Sequence, residues 1–360
     1  MSAVAKTGGL AIYRGAQIAI EEINKQGGLL GKQLELIVKD HRGNPARGID
    51  NIESLAKQDN LLAVLGGVHT PVAIQELPLI HHHKLIYLGP WAAGTPIIDN
   101  NYEPNYVFRI SVRDNEAGKV FIKHAQALKV RKVGLLLEQT AWGRSNEKSI
   151  TENAQGTDIE IVDAEWFNWG QKDFSKSLTS FIESNVEAII LVANSPSAVE
   201  ISKSLIKQKT LMSIPIISHW GIAGGDFVSE LGLEMLNLLN LSVLQTYSFE
   251  SPTNPEKNTY VIERYQALFD ESIAPKSILG ASGVAHAYDL VHLLALAVKS
   301  ANTSNREIIR KAMENIESFH GLVKHYKPAF TADRHDALMA EDYIMSRFDE
   351  SGWLVPITTK

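Results

Sequence analysis

Apolar residues recur at helical spacing near the start of the chain. Ile12, Ala16, Ala19, Ile20 and Ile23 fall on one face of a segment spanning 10–26, and Gly27-Gly28 supplies the left-handed conformation that ends a helix. Leu34, Leu36 and Val38 then alternate with polar residues, which predicts a strand at 34–38. The succession continues: apolar runs at 61–65, 85–88, 106–110, 133–137, 159–166, 188–192 and 214–218 predict strands. Helical periodicity at 46–58, 73–81, 116–127, 145–154, 174–183, 198–208 and 226–231 predicts the helices between them. Strands alternating with helices of this length specify parallel sheets covered on both faces.

The rhythm breaks twice. Around 109–115 a strand leaves one unit and enters the next. Around 245–255 a Ser/Pro/Asn-rich passage precedes three long helical patterns at 256–269, 281–300 and 306–316. The remainder, 319–357, holds short strand-like pieces and many turns. At 360 residues the chain exceeds one compact core. The expectation is two α/β lobes with about three crossings: 1–113 plus 248–328, and 114–247 plus 329–360.

Composition narrows the function classes. Apolar content of 44% and charged content of 21% are ordinary for a soluble globular protein. A net charge of −6 without a basic stripe argues against nucleic acid as the main partner. The absence of cysteine excludes disulfides, thiolate metal sites and cysteine nucleophiles. The longest uninterrupted apolar runs, at 188–193 and 293–298, are far shorter than a membrane span. Residues 1–7 lack the apolar stretch of a signal peptide.

Catalytic signatures are missing. The sequence holds no G-x-G-x-x-G, P-loop, H-E-x-x-H or G-x-S-x-G motif, and the Gly280-Ala-Ser-Gly283 run lacks the elbow spacing. The pairs Glu21-Glu22 and Glu341-Asp342 are sequence neighbours whose side chains point apart. His81, His82 and His83 are consecutive on a predicted helix end and diverge, so a solvated helix end outweighs a metal site. No catalytic residue, metal or cofactor is expected.

In open parallel sheets ligands bind beyond the carboxyl ends of the strands, near helix N-termini. Two such loops are Gly66-Gly-Val-His69-Thr70-Pro71 and Gly89-Pro-Trp91-Ala92-Ala93-Gly94-Thr95. Both combine small residues with a hydroxyl and backbone amides suited to an anionic group. The plainer reading is that Gly, Thr and Pro punctuate turns. His69 and His219 suit a loop or hydrogen-bonding role better than a basic one. Trp91, Trp142 and Trp220 all follow predicted strands on Gly-containing loops, which predicts an aromatic-walled site.

The opening run, Arg14-Gly-Ala-Gln-Ile-Ala-Ile-Glu-Glu-Ile-Asn-Lys-Gln-Gly-Gly28 followed by Leu29 to Asp40, resembles the start of type 1 periplasmic solute-binding proteins, the Leu/Ile/Val-binding group of ABC importers. Val107-Phe108-Arg109 with Asp114, then Asp173-Phe174-Ser175, then Ala287-Tyr288-Asp289 extend the resemblance in order, from Gly8 to about Ile357. It implies an α/β fold of two doubly wound parallel-sheet lobes joined by a hinge, with a ligand cleft between the lobes. The implied function is binding a small amino acid or other carboxylate-bearing, aromatic acids included, by lobe closure. The partner would be a membrane permease, the location periplasmic or extracytoplasmic, and the state monomeric.

By the same resemblance, Thr70 matches the hydroxyl that holds a ligand carboxylate from the first loop. Ala92 and Ala93, with Trp91 and Thr95 beside them, match the second loop. Trp142, Asn194, His219 and Trp220 fall on the matching loops of the second lobe, and Tyr288 on a late helix of the first. Tyr288 reads equally well as a packing tyrosine. Trp220 stands where amino-acid binders place an acid for the ligand ammonium, and the usual tyrosine near Asn194 is absent. A ligand without an ammonium, or one anchored differently, is the expectation. The family also has a strand before the first helix, central in its 2-1-3-4-5 order, for which this sequence offers only about ten small, polar residues. Either the native protein starts further upstream or another segment fills the gap. Two alternatives stay open: a ligand-sensing domain of a receptor or regulator, and an α/β enzyme such as a hydrolase on a similar sheet. The terminal Thr358-Thr-Lys360 favours a free-standing protein over a sensor.

Overall fold

The computed structural model describes residues 5–357. The terminal residues 1–4 and 358–360, used above for the question of a preceding strand and of a free-standing end, lie outside them. The chain forms two units, one of 1–112 and 247–339, the other of 113–246 and 340–360.

The first unit opens with α1 (Lys6–Lys25), α2 (Pro45–Ala56), β1 (Val64–Leu65), α3 (Thr70–His82), β2 (Tyr87–Gly89) and β3 (Val107–Arg109). The three strands make a parallel sheet in the order β1-β2-β3. The second unit carries α4 (Asp114–Ala127), β4 (Lys132–Glu138), α5 (Ala141–Ala154), β5 (Glu160–Phe167), α6 (Ser175–Glu183), β6 (Ala188–Val192), α7 (Ser195–Lys207), β7 (Ile216–Ser218), α8 (Phe227–Leu231), α9 (Leu233–Leu236) and β8 (Leu241–Gln245). The chain then returns to the first unit as α10 (Pro255–Phe269), α11 (Ala281–Ala301), α12 (Arg306–Glu314) and the hairpin β9 (Phe319–His320) with β10 (His325–Tyr326). It ends in the second unit with β11 (Ile344–Phe348) and β12 (Leu354–Pro356). There the sheet order is β12-β11-β8-β7-β6-β4-β5, parallel except where β11 and β12 add antiparallel.

Composition explains the placement. Every residue of β6 (Ala-Ile-Ile-Leu-Val) is buried, as a strand covered on both faces requires. In the first unit α1 packs on α11 so closely that a Cβ at Gly15 would stand 2.1 Å from the Val284 carbonyl oxygen. By length and composition α11 resembles a membrane span, but 83% of its most apolar window is buried, so it is a core helix.

Two expectations differ from the structure, and one strand had no expectation. Residues 34–38 are not a strand: they run as coil, with Ile37 and Val38 each 49% exposed. An extended segment gains its ladder only from a neighbour, and among the described residues no strand pairs with them or with the outer edge of β1. The strand β8 was not anticipated, since it directly precedes the Ser/Pro-rich passage. The third crossing falls after Met339 and not after 328. Residues beyond 328 stay with the first unit because Arg109 and Asp336 bridge in parallel and Phe330 stacks edge-on against Phe108.

Candidate functional site

In the first unit the loops after β1 and β2 meet. Thr70, the first residue of α3, accepts the Gly94 N–H on its Oγ1 at 3.1 Å. A Cβ at Gly94 would lie 2.3 Å from the Thr70 methyl, so glycine permits the approach. The carbonyls of the second loop are tied inward. His286 Nδ1 bonds the Pro90 carbonyl at 2.9 Å, and Ser111 Oγ donates to that of Trp91 at 2.6 Å. Arg109 Nη1 donates to those of Ala92 (3.2 Å) and Gly94 (2.9 Å). In a trans peptide the carbonyl and the next N–H point oppositely. The Ala92 and Ala93 amides therefore face away from these inner donors.

Burial lowers the His286 pKa to about 4, so near neutral pH the ring is an uncharged donor with its proton on Nδ1. His69 sits at the N-cap of α3, edge-on to His41 at 5.5 Å between ring centroids, and burial, with His41 adding, lowers its pKa to about 4. Thr95 begins the short helical turn Thr95–Ile97 and is half-buried. The Trp91 ring is buried against the glycines that start α1 and α11, where a Cβ at Gly283 would come within 2.7 Å of it. Tyr288 donates to Glu22 Oε2 at 2.6 Å and tilts against His292. Its contacts thus lie along the α1–α11 packing, two residues past the His286 that serves the loop.

In the second unit the strand ends converge on Asp114, the first residue of α4. Trp142 Nε1 donates to Asp114 Oδ1 at 3.3 Å, and His219 Nε2 lies 3.2 Å from the same oxygen. The Trp220 N–H donates to His219 Nδ1 at 2.9 Å, which leaves the ring proton on Nε2 to donate to Asp114. Trp142 stands edge-on to His219 at 4.9 Å and reaches Gly221, where a Cβ would come within 2.6 Å of the indole. Asp114 is wholly buried, yet its Oδ2 has no hydrogen-bond partner among the described residues. Asn194 N-caps α7 and donates from Nδ2 to Glu138 Oε2 at 2.9 Å. Burial raises the Glu138 pKa against the pull of bonds from Trp169, Asn194 and Thr140.

Thr70, Trp91, Ala92, Ala93 and Thr95 thus fall on two touching loops of the first unit. Trp142 and His219 meet at Asp114 in the second, with Trp220 bonded through its N–H to His219 and Asn194 held at Glu138. Arg109 and Asp114 entered the sequence reading only as parts of a matching phrase, without a site role, and Glu138, Ser111 and His286 were not singled out from sequence. The one available signal was an acid or base set against an apolar strand or helix, as in Leu135-Leu-Leu-Glu138 and Val284-Ala-His286. Among the described residues no cluster of His, Asp or Glu fit to hold a metal ion occurs.

This two-unit α/β architecture, with strand-end loops carrying hydroxyl, amide and indole groups, defines a class of two-lobed solute binders. The chain belongs to the periplasmic binding protein family, whose model matches residues 1–352. It is 24% identical over 309 residues to the Leu/Ile/Val-binding protein homolog 1 of Brucella suis biovar 1, covering 85% of this chain and 78% of that one. Its fold is similar to a type 1 periplasmic binding protein of Bordetella pertussis Tohama I, with TM-score 0.86, 19% identity and coverage of 99% and 98%. It is also similar to the branched-chain amino acid transporter substrate-binding protein LivJ of Streptococcus pneumoniae in complex with isoleucine. There the TM-score is 0.82, the identity 22%, and the coverage 99% and 97%.

Proposed function

We propose that this protein is the extracytoplasmic substrate-binding component of an ABC importer and that its solute is a small amino acid, bound by lobe closure. The observation that carries the reading is the opposite chemistry of the two clusters. The first offers donors, the Ala92 and Ala93 amides with the Thr70 hydroxyl, to a carboxylate. The second offers an acceptor, the buried and unpartnered Asp114 Oδ2, to an ammonium. An α-amino acid carries that pair of groups. A buried ammonium needs such a partner, so Asp114 takes the part for which Trp220 is unsuited. Trp142 and Trp220 provide apolar surface for the side chain. The protein works as a monomer, returns its ligand chemically unchanged and passes it to a membrane permease.

A ligand that binds only the folded state raises the melting temperature. The test is a thermal-shift screen of the whole chain against amino acids, amides, aliphatic acids and aromatic acids. The expected result is a shift with an amino acid that is lost in Thr70→Val and in Asp114→Asn. A shift confined to acids lacking an ammonium, and unchanged in Asp114→Asn, would replace the amino acid with an organic acid. Turnover of the solute would point to the α/β enzyme.

A further inference from the structure

We propose that Tyr87 and Glu76 are positioning residues that hold the Gly66–Gly67 backbone, and through it Thr70, in the form that receives the solute; this rests on the carboxylate role given to Thr70 above. Neither residue faces that solute. Tyr87 lies in the buried strand β2 and donates to Glu76 Oε2 at 3.2 Å, both side chains being buried. Its hydroxyl also takes a bond from the Gly67 backbone. The chain Gly67 N–H, Tyr87 hydroxyl, Glu76 carboxyl thus joins the loop before α3 to the middle of α3, with Thr70 between the two attachment points.

The surroundings are cut to fit this pair. A Cβ at Gly66 would stand 2.3 Å from the Tyr87 hydroxyl oxygen, so only glycine lets the phenol pass under the loop. A Cβ at Gly48 of α2 would stand 2.7 Å from Glu76 Oε1 and 2.6 Å from a Val72 methyl. Glycines from two elements therefore make room for one buried polar chain in an otherwise apolar cluster that includes Tyr87, Ala92 and Ile97. Burial raises the Glu76 pKa to about 7. A buried carboxyl with a single neutral hydrogen bond still costs stability there, which a purely structural role would not require: Leu would pack there. A polar chain ending on the amide of a ligand loop fixes that loop's orientation.

The experiment compares Tyr87→Phe, Glu76→Leu and Glu76→Gln with the wild type in the full chain. One arm follows amide hydrogen exchange, which needs no ligand; the other titrates L-isoleucine as the probe. In Tyr87→Phe and Glu76→Leu, exchange at 66–68 should accelerate about tenfold while α11 amides keep their rates. The Kd for L-isoleucine should rise about three- to tenfold, the size one or two neutral hydrogen bonds give. Glu76→Gln keeps an acceptor for Tyr87 and should show less than half of either effect. Uniform acceleration across the unit, or no local change at 66–68, would overturn the positioning role. Local acceleration in a protein whose wild type ignores L-isoleucine would instead support the positioning of the loop and count against L-isoleucine as the solute.

Discussion

Arg109 and Asp336 form a two-pronged ion pair in the core of the first unit, Nε to Oδ1 at 2.5 Å and Nη2 to Oδ2 at 3.1 Å, with neither side chain more than 1% exposed. The two residues lie 227 positions apart. Each sits just ahead of a point where the chain leaves the unit, after Val112 and after Met339. The remaining guanidinium nitrogen supports the Ala92 and Gly94 carbonyls. One pair thus fastens two crossing segments side by side and braces the loop assigned to the solute carboxylate.

Removing one partner of such a pair leaves an uncompensated buried charge. Asp336→Asn should cost about 3–5 kcal/mol of unfolding free energy, measured by urea denaturation. A cost below about 1 kcal/mol, the range of surface pairs, would contradict the role given to it.

The buried titratable groups set opposite limits on pH. Glu76 is raised to about 7 from 4.5, with Tyr87 as the titratable group facing it, Gly48 from α2 and Val72 from its own helix. Its contribution is fully present below pH 4.5 and is lost as pH rises through 7, on the order of 3 kcal/mol. His286 is lowered to about 4 from 6.5. Its contribution is present above pH 6.5 and is lost as pH falls through 4. Melting temperature against pH should therefore decline on both sides, and Glu76→Gln should flatten the alkaline side alone. An unchanged alkaline limb in Glu76→Gln would refute the assignment.

The exposed aliphatic run at 34–38 should tolerate polar substitution. Ile37→Ser and Val38→Ser should each change stability by no more than about 0.5 kcal/mol. Ile86→Ala or Leu88→Ala, in a core where both residues are at most 2% exposed, should cost about 2–5 kcal/mol. Chemical denaturation of the four variants checks the contrast, and a large loss at Ile37 would mean that the run is packed.

Alternation of apolar runs with helical periodicity was enough to read the α/β plan and the strand-end loops, since both follow from local pattern. Residues 34–38 show the limit of that reading. Their pattern is that of a strand, but a strand exists only with a neighbour, and pairing is not local. The loops bearing Thr70, Ala92, Trp142 and His219 were legible because strand, turn and helix occur in order. Asp114 was visible only as part of a phrase. Its partner His219 lies 105 residues away, and no spacing in the sequence announces that the two meet. The same holds for His286, an unremarked residue in an apolar helix until its ring is seen against the Pro90 carbonyl.

The central claim is that the first unit holds a carboxylate and Asp114 an ammonium. Calorimetric titration of the wild type and Asp114→Asn with the amino acid that gives the largest thermal shift, and with the hydroxy acid that replaces its ammonium by hydroxyl, tests this most directly. The account predicts that the wild type binds the amino acid at least tenfold more tightly than the hydroxy acid, and that Asp114→Asn brings the two affinities together by weakening the amino acid. Equal binding of both by the wild type, or an undiminished preference in Asp114→Asn, would contradict it.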